Sequence, residues 1–266
     1  METIGVLGGF GPQATTVFED LVHEEARRLL PPRFNQGYPP MVTVHLRHAP
    51  VLLEKGAPPT GPLRIDPRVL DAAKKLGEWA DFLVVVANTP HLFLDEISEA
   101  AGRDVLSMVE EVVADLSARG VVALRDVQGE GGVPSPSDVP SPRDTGGGEA
   151  ARQAADERPI GLLGLGVPEA YVRRFAQESI QWIGVPDLLR AALDDAILRT
   201  LELSTTDVHR DAAWEAVRWL RGQGCPAIVL GCTEIPLLLG AEADAPDLID
   251  PGRLLAEAAV RRAVGA

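Results

Sequence analysis

Short apolar runs alternate with amphipathic segments along most of the chain. Runs of strand length occupy residues 3–7, 41–45, 82–86, 159–165 and 227–230. Segments with helical periodicity follow most of them, and two open on a cap residue followed by proline, at Asp66-Pro67 and Thr89-Pro90. Strands that are apolar throughout and alternate with helices predict an α/β fold of mainly parallel sheets flanked by helices.

The second half of the chain continues this alternation. The periodicity predicts a short strand at 121–124, a closing strand and helix over 248–264, and helices near 107–117, 168–180, 186–203 and 210–222. Residues 127–157 break the pattern, because they are rich in Gly, Pro, Ser and Asp and contain almost no large apolar residue. Such a composition buries too little surface to offset the entropy of ordering. It predicts a flexible surface insertion, with a lid or docking segment as the functional alternative.

Charge and cysteine content limit the partners and the cellular location that we expect for the protein. The 266 residues are 45% apolar and carry a net charge of −14, which argues against nucleic acid and anionic membranes as partners. The two cysteines, Cys225 and Cys232, cannot form a disulfide framework, and no apolar run approaches the length of a bilayer span. A cytoplasmic location is therefore expected.

Two predicted strand-to-helix corners have similar sequences. VVVANTPH, at 84–91, and VLGCTEIP, at 229–236, each place a small residue and then polar residues after a buried strand. Their alignment sets Ala87 opposite Cys232, Asn88 opposite Thr233, and Thr89 opposite Glu234. Ligands of parallel sheets bind outside the carboxyl ends of the strands. Two facing corners predict a site for a small anionic ligand between two domains.

These motifs resemble those of the aspartate/glutamate racemase family. The residues that carry the resemblance are GVLGGFGPQAT at 5–15, NTPH at 88–91 and GCTEIPLLL at 231–239. The resemblance implies two pseudo-symmetric α/β domains with the active site in the cleft between them, and no metal or organic cofactor. We expect one domain over residues 1–104 and 246–266 and the other over 105–245. We also expect a homodimer.

In the two-thiol members of this family, one cysteine removes the Cα proton and a second delivers a proton to the opposite face. The position of the first cysteine is Ala87 here, and Cys232 occupies the second. A cysteine at a helix start is expected to have a lowered pKa. His91 is a further candidate for proton transfer, unless it bonds a nearby carbonyl instead.

The remaining candidate residues are expected to bind substrate. The side chains of Asn88, Thr89 and Thr233 could hold a carboxylate, and Glu234 could order the site. Arg47, just after a predicted strand, could pair with a second carboxylate, although VHLRHAP at 44–50 departs from the family's usual pattern there. The glycine-rich start contributes Gly9 and Phe10.

The function that the resemblance implies is racemisation at the Cα of a small carboxylate substrate, an amino acid like aspartate or glutamate. Because Ala87 cannot transfer a proton, two alternatives stay open. One is decarboxylation of a malonate-type substrate with protonation by Cys232, and the other is a catalytically impaired relative that binds a carboxylate. A third class, dinucleotide binding through residues 9–14, is disfavoured because Pro12 lacks an N–H donor and no acidic residue ends the second strand.

Overall fold

The fold consists of two four-stranded parallel sheets with the same strand order. The structure is a computed structural model that describes residues 1–31, 34, 36–53, 62–122 and 158–266. The first sheet has the order β2-β1-β3-β4 and contains β1 (Ile4–Gly8), β2 (Met41–His45), β3 (Phe82–Val85) and β4 (Val105–Leu106). The second has the order β6-β5-β7-β8 and contains β5 (Ile160–Leu163), β6 (Trp182–Ile183), β7 (Ile228–Leu230) and β8 (Leu248–Ile249). The predicted fold class is confirmed.

Helices cover the sheets. They are α1 (Pro12–Leu29), α2 (Pro67–Gly77), α3 (Leu94–Ala101), α4 (Met108–Ala118), α5 (Glu169–Glu178), α6 (Asp187–Leu201), α7 (Asp207–Gly222), α8 (Ile235–Leu239) and α9 (Pro251–Val264). A 3₁₀ helix, Thr89–Phe93, precedes α3, and another, Gly240–Asp244, follows α8. The predicted cap at Asp66 is present, because its side chain accepts a hydrogen bond from the Arg68 N–H at the start of α2. The predicted cap at Thr89 is wrong, because Thr89 is already the first residue of its 3₁₀ helix and no side chain caps that helix. At the start of α9, Asp250 accepts a hydrogen bond from the Gly252 N–H.

One buried apolar cluster joins the two sheets. Side chains that alternate along β1 and β3, such as Ile4, Val6 and Val84, share it with Leu162 of β5 and Val229 of β7. Helices α1, α4, α5 and α9 complete this cluster. The opposite faces of the two sheets pack against two further clusters, which explains why the central strands are apolar throughout.

Sheet membership differs from the predicted domain boundaries by one strand at each crossover. β4 begins just after residue 104 but pairs with β3, and β8 follows residue 246 but pairs with β7. Helix α9 packs on α1, in the predicted first domain, and on α4, in the predicted second domain. The division of the chain into these domains stays a prediction.

The predicted strand at 121–124 is not present in the part that the structure describes. Gly120 adopts a positive φ of 66° and Val121 donates its N–H to the Leu116 carbonyl, so the chain closes the end of α4. Residues 123–124 and the insertion at 127–157 lie outside the described residues.

Candidate active site

A cavity of about 460 Å³ lies where the loops after β1, β3, β5 and β7 meet. These are the carboxyl ends of the two central strands of each sheet, the position at which open parallel sheets bind ligands. The cavity is also bordered by the chain after β2 and by α6. Its lining residues near the predicted chemistry are Phe10, Gly11, Ala87, Asn88, Thr89, Cys232, Thr233 and Glu234.

The thiol of Cys232 forms a pair with a carboxylate. Cys232 Sγ donates a hydrogen bond to Glu234 Oε2 over 3.1 Å, and the hydroxyl of Thr233 donates to the same oxygen over 3.0 Å. Glu234 is buried, with 4% of its surface exposed. Two donors therefore hold a buried carboxylate beside the thiol.

Burial raises the pKa of the Cys232 thiol well above its usual range, and the negative charge of Glu234 raises it further. Backbone N–H groups of Glu234 and Leu165 oppose this shift but do not reverse it. The expected lowering of the pKa by a helix start is thus wrong for this structure, because burial and the charge of Glu234 outweigh the backbone N–H groups near the sulfur. The resting group is a neutral thiol, a proton donor.

Glu234 also connects the two halves of the site. A side chain added at Gly11, in the loop after β1, would collide with the Glu234 carboxylate. The loop from the first sheet therefore lies directly against the residue that holds the thiol of the second sheet. Glycine at this position permits the close approach.

Asn88 makes a polar contact between the two halves. Its Oδ1 accepts a hydrogen bond from the hydroxyl of Tyr171, on α5, over 2.7 Å. Tyr171 is completely buried in the cluster that joins the sheets, where its ring lies near Phe175. Burial raises the pKa of the Tyr171 phenol well above its usual range, so the hydroxyl stays a donor.

Three of the predicted site residues do not line the cavity. Gly9 has a positive φ of 82° and donates its N–H to Thr15 Oγ1 over 2.8 Å, so it shapes the loop. Arg47 is exposed just after β2 and is not part of the wall. His91 Nε2 lies 3.2 Å from the Val85 carbonyl oxygen, the alternative that the sequence left open. Burial lowers the pKa of His91 to about 4, so its imidazole is neutral.

The sequence prediction missed the loop after β5 and the residue that orders it. The Gly166 N–H in this loop donates to Asp194 Oδ1, on α6, over 2.8 Å, and both residues line the cavity. A signal for this loop exists, because IGVLGGFGP at 4–12 and IGLLGLGVP at 160–168 are similar in sequence and form β1 and β5 with their following loops. The four loops that line the cavity, after β1, β3, β5 and β7, thus come from two copies of the same unit.

Two features are absent from the part of the chain that the structure describes. Over the described ranges, no cluster of three or more His, Cys, Asp or Glu side chains could hold a metal ion. In the same part of the chain, no helix has the length and apolar character needed to cross a membrane.

Comparisons with known proteins point to one family. Residues 7–127 match the model of the Asp/Glu/Hydantoin racemase family. A curated relative, the broad specificity amino-acid racemase RacX of Bacillus subtilis (strain 168), is 28% identical over 114 residues, which are 42% of this chain and 48% of the relative. The aligned part thus spans about half the length of that relative.

Solved structures extend the likeness in fold to nearly the whole chain. An aspartate racemase homologue from Pyrococcus horikoshii OT3 superposes with a TM-score of 0.68 and 18% identity, and the superposition covers 99% of this chain and 100% of the other. The Picrophilus torridus aspartate racemase gives a TM-score of 0.67 and 17% identity, covering 99% of this chain and 95% of the other. At these identities the likeness shows the fold alone. The resemblance that the motifs indicated is therefore confirmed: the chain matches the Asp/Glu/hydantoin racemase family in sequence over residues 7–127, and its described residues have the fold of the aspartate racemase structures.

Proposed function

We propose that the protein is a cofactor-independent isomerase that exchanges the proton at the Cα of an amino acid. The observation that carries this proposal is the Cys232–Glu234 pair in a cavity that both sheets enclose. A neutral thiol can deliver its proton to a carbanion, and the adjacent carboxylate can accept that proton when the thiol must act as a base. Glu234 thus allows one sulfur to work in both directions.

The substrate carboxylate would be held by the corner after β3. The hydroxyl proton of Thr233 is engaged by Glu234, so the donors left for the carboxylate are the amide of Asn88 and the hydroxyl of Thr89, which line the cavity. Hydrogen bonds from these groups strengthen as negative charge develops on the carboxylate during loss of the Cα proton. They would therefore stabilise the enediolate intermediate.

The face opposite Cys232 distinguishes this site from a two-thiol racemase. Ala87 lines the same cavity but carries no titratable group. His91, outside the cavity and bonded to a backbone carbonyl, is not available for this role. We propose that a water molecule beside Ala87 transfers the proton on that face, which makes racemisation slow relative to exchange on the Cys232 face.

The side chains that line the cavity indicate which amino acids it would accept as substrates. Its apolar part includes Phe10, Leu165 and Ile197, and its acidic part includes Asp194 and Glu234. A second carboxylate on the substrate, as in aspartate or glutamate, would be repelled by these acidic side chains. We therefore expect neutral amino acids to be better substrates than the dicarboxylic ones that the family resemblance implies.

Decarboxylation is a second candidate that Ala87 specifically favours. A 2-substituted malonate that loses CO₂ leaves a carbanion that needs one proton, on one face. The neutral Cys232 thiol can supply that proton without any group at position 87. Water then returns the proton to the thiolate.

The experiment that separates these functions is incubation of amino acids and 2-substituted malonates in deuterated water. Deuterium at Cα together with formation of the other enantiomer supports the isomerase. Loss of CO₂ with a deuterated monocarboxylate supports the decarboxylase. Binding of a carboxylate without either reaction would contradict both and indicate a catalytically impaired relative. Cys225→Ser, which removes the other thiol, is the control and should behave as the unmodified protein does.

A homodimeric state and a cytoplasmic location stay predictions. Size-exclusion chromatography with light scattering would test the first, and fractionation of the source cells would test the second.

A further inference from the structure

The hydrogen bond between Tyr171 and Asn88 crosses between the two halves of the molecule. Asn88 follows β3 in the first sheet, and Tyr171 lies on α5, which follows β5 in the second. The two residues are 83 positions apart, and their side-chain oxygens are separated by 2.7 Å. The proposed chemistry at Cys232 does not itself use this contact.

Burial fixes the direction of this hydrogen bond. Tyr171 has no exposed surface, and its ring packs in the apolar cluster that joins the two sheets. A buried hydroxyl without a partner is costly, so the bond to Asn88 is strongly favoured. Because the neutral phenol donates its proton, the Asn88 side chain contributes its carbonyl oxygen and not its NH₂ group.

The hydrogen bond from Tyr171 determines which group of the Asn88 amide is available to a ligand. An asparagine amide has one acceptor oxygen and one NH₂ group with two donors. With the oxygen engaged by Tyr171, the NH₂ group is the part that Asn88 can present to a ligand in the cavity that it lines. A donor is what a substrate carboxylate requires.

We propose that Tyr171 is a positioning residue for substrate binding: its hydroxyl orients the Asn88 amide so that the NH₂ group faces the substrate carboxylate. This inference rests on the proposed function, in which the cavity binds a carboxylate. The tyrosine does not touch the substrate and acts through Asn88. Because it belongs to the other half of the molecule, the orientation of the amide depends on the two halves being packed together.

The test begins with Tyr171→Phe, which removes the hydroxyl and keeps the buried ring. For the amino acid that exchanges fastest in deuterated water, we expect KM to rise by about 3- to 10-fold, as for one lost hydrogen bond, and kcat to fall by a similar factor, because the same bond strengthens as the enediolate forms. Tyr38→Phe is the matched control, because Tyr38 is the other tyrosine of the chain and lies outside the cavity. It should leave KM unchanged. A loss of kcat with KM unchanged in Tyr171→Phe would overturn the proposal.

A double-mutant cycle tests whether the hydroxyl acts through the amide. Asn88→Ala should raise KM at least as much as Tyr171→Phe, and the double variant should match Asn88→Ala alone. Effects that simply add would show that Tyr171 acts by another route and would overturn the proposal.

A spectroscopic readout keeps the inference separate from the proposed function. The chain contains two asparagines, Asn35 and Asn88, so selective ¹⁵N-asparagine labelling gives two side-chain NH₂ signals, and Asn88→Ala assigns them. We expect Tyr171→Phe to shift the Asn88 NH₂ signals and leave those of Asn35 in place. Unchanged Asn88 signals would overturn the proposal, even if no tested substrate exchanged. A different outcome is also informative: the Asn88 signals shift in Tyr171→Phe, but the unmodified protein exchanges no tested substrate. That result would contradict the proposed function and leave Tyr171 only the role of orienting the Asn88 amide.

Discussion

At the scale of single residues, the chemistry of this site depends on the environment of one sulfur. Cys232 donates a hydrogen bond to the carboxylate of Glu234. The negative charge of Glu234 disfavours the thiolate form of Cys232. The position that would carry a second thiol is Ala87, on the wall of the same cavity. In the proposed function, the thiol supplies a proton on one face of the substrate, and Ala87 supplies no titratable group on the other.

Replacement of Glu234 by glutamine tests the pairing. Because the carboxylate charge raises the pKa of Cys232, Glu234→Gln should lower that pKa and make the thiol easier to alkylate at a given pH. Exchange at Cα should fall by about 10²-fold or more, since the group that accepts the thiol proton is gone. Alkylation rates with iodoacetamide across pH, measured in a Cys225→Ser background, check the first effect. A raised pKa would contradict the pairing.

Introduction of a second thiol tests the facing arrangement. Ala87→Cys places a sulfur on the cavity wall, so two-sided proton transfer becomes available and racemisation should rise by about 10²-fold or more. Chiral chromatography of the product measures the gain. The double variant Ala87→Cys with Cys232→Ser should show no such gain. A folded Ala87→Cys protein that binds ligand but racemises no faster would refute the arrangement.

At the scale of elements, the sequence pattern predicted the central strands, the helices and two of the four edge strands, β2 and β8. β3 and β7 are apolar throughout and were found within one residue of their observed ends. β4 and β6 contain two residues each, too few for a periodic signal, and were missed, whereas the equally short β8 was predicted together with the helix that follows it. The corners were predictable because motifs mark them, whereas Tyr171 and Asp194 reach the site only through the packing of α5 and α6, which spacing along the chain does not encode.

His91, in the 3₁₀ helix after β3, makes stability depend on pH. Its pKa is about 4 in the folded protein and about 6.5 in an unfolded chain, so the unfolded state binds more protons between these values. The folded protein should therefore lose stability as pH falls from about 6.5 towards 4, by on the order of 2 kcal/mol at pH 5 from this group.

The comparison of thermal melts at pH 7.5 and pH 5 measures this effect. His91→Gln cannot take up the proton, so its loss of stability between the two pH values should be smaller than that of the unmodified protein. His23→Gln, which changes an exposed imidazole on α1, should show the full loss. Equal losses in His91→Gln and the unmodified protein would show that His91 is protonated in the folded state.

At the scale of the whole molecule, two copies of one α/β unit enclose the site between them. The units have the same strand order, begin with similar sequences and contribute equivalent loops to one cavity. The contacts of Glu234 with Gly11 and of Tyr171 with Asn88 join the units at that cavity. The proposed active site therefore requires both units in their packed arrangement.

The composition of residues 127–157 predicts that this segment is dispensable for folding. Replacement of the segment by a short Gly-Ser linker should change the melting temperature little, since the entropy of loop closure grows slowly with length. Differential scanning calorimetry and soluble yield measure the outcome. A collapse of the yield would show that the segment contributes to the core.

The most direct test of the account is the rate of Cα deuterium exchange in Cys232→Ser. A serine hydroxyl has nearly the shape of the thiol but is a far weaker acid, so the cavity and its carboxylate-binding groups should persist while proton transfer is lost. We predict an exchange rate lower than that of the unmodified protein by about 10²- to 10⁴-fold, with ligand binding retained and with Cys225→Ser unaffected. Exchange in a folded Cys232→Ser protein at the rate of the unmodified one would contradict the assignment of Cys232 as the acid–base group.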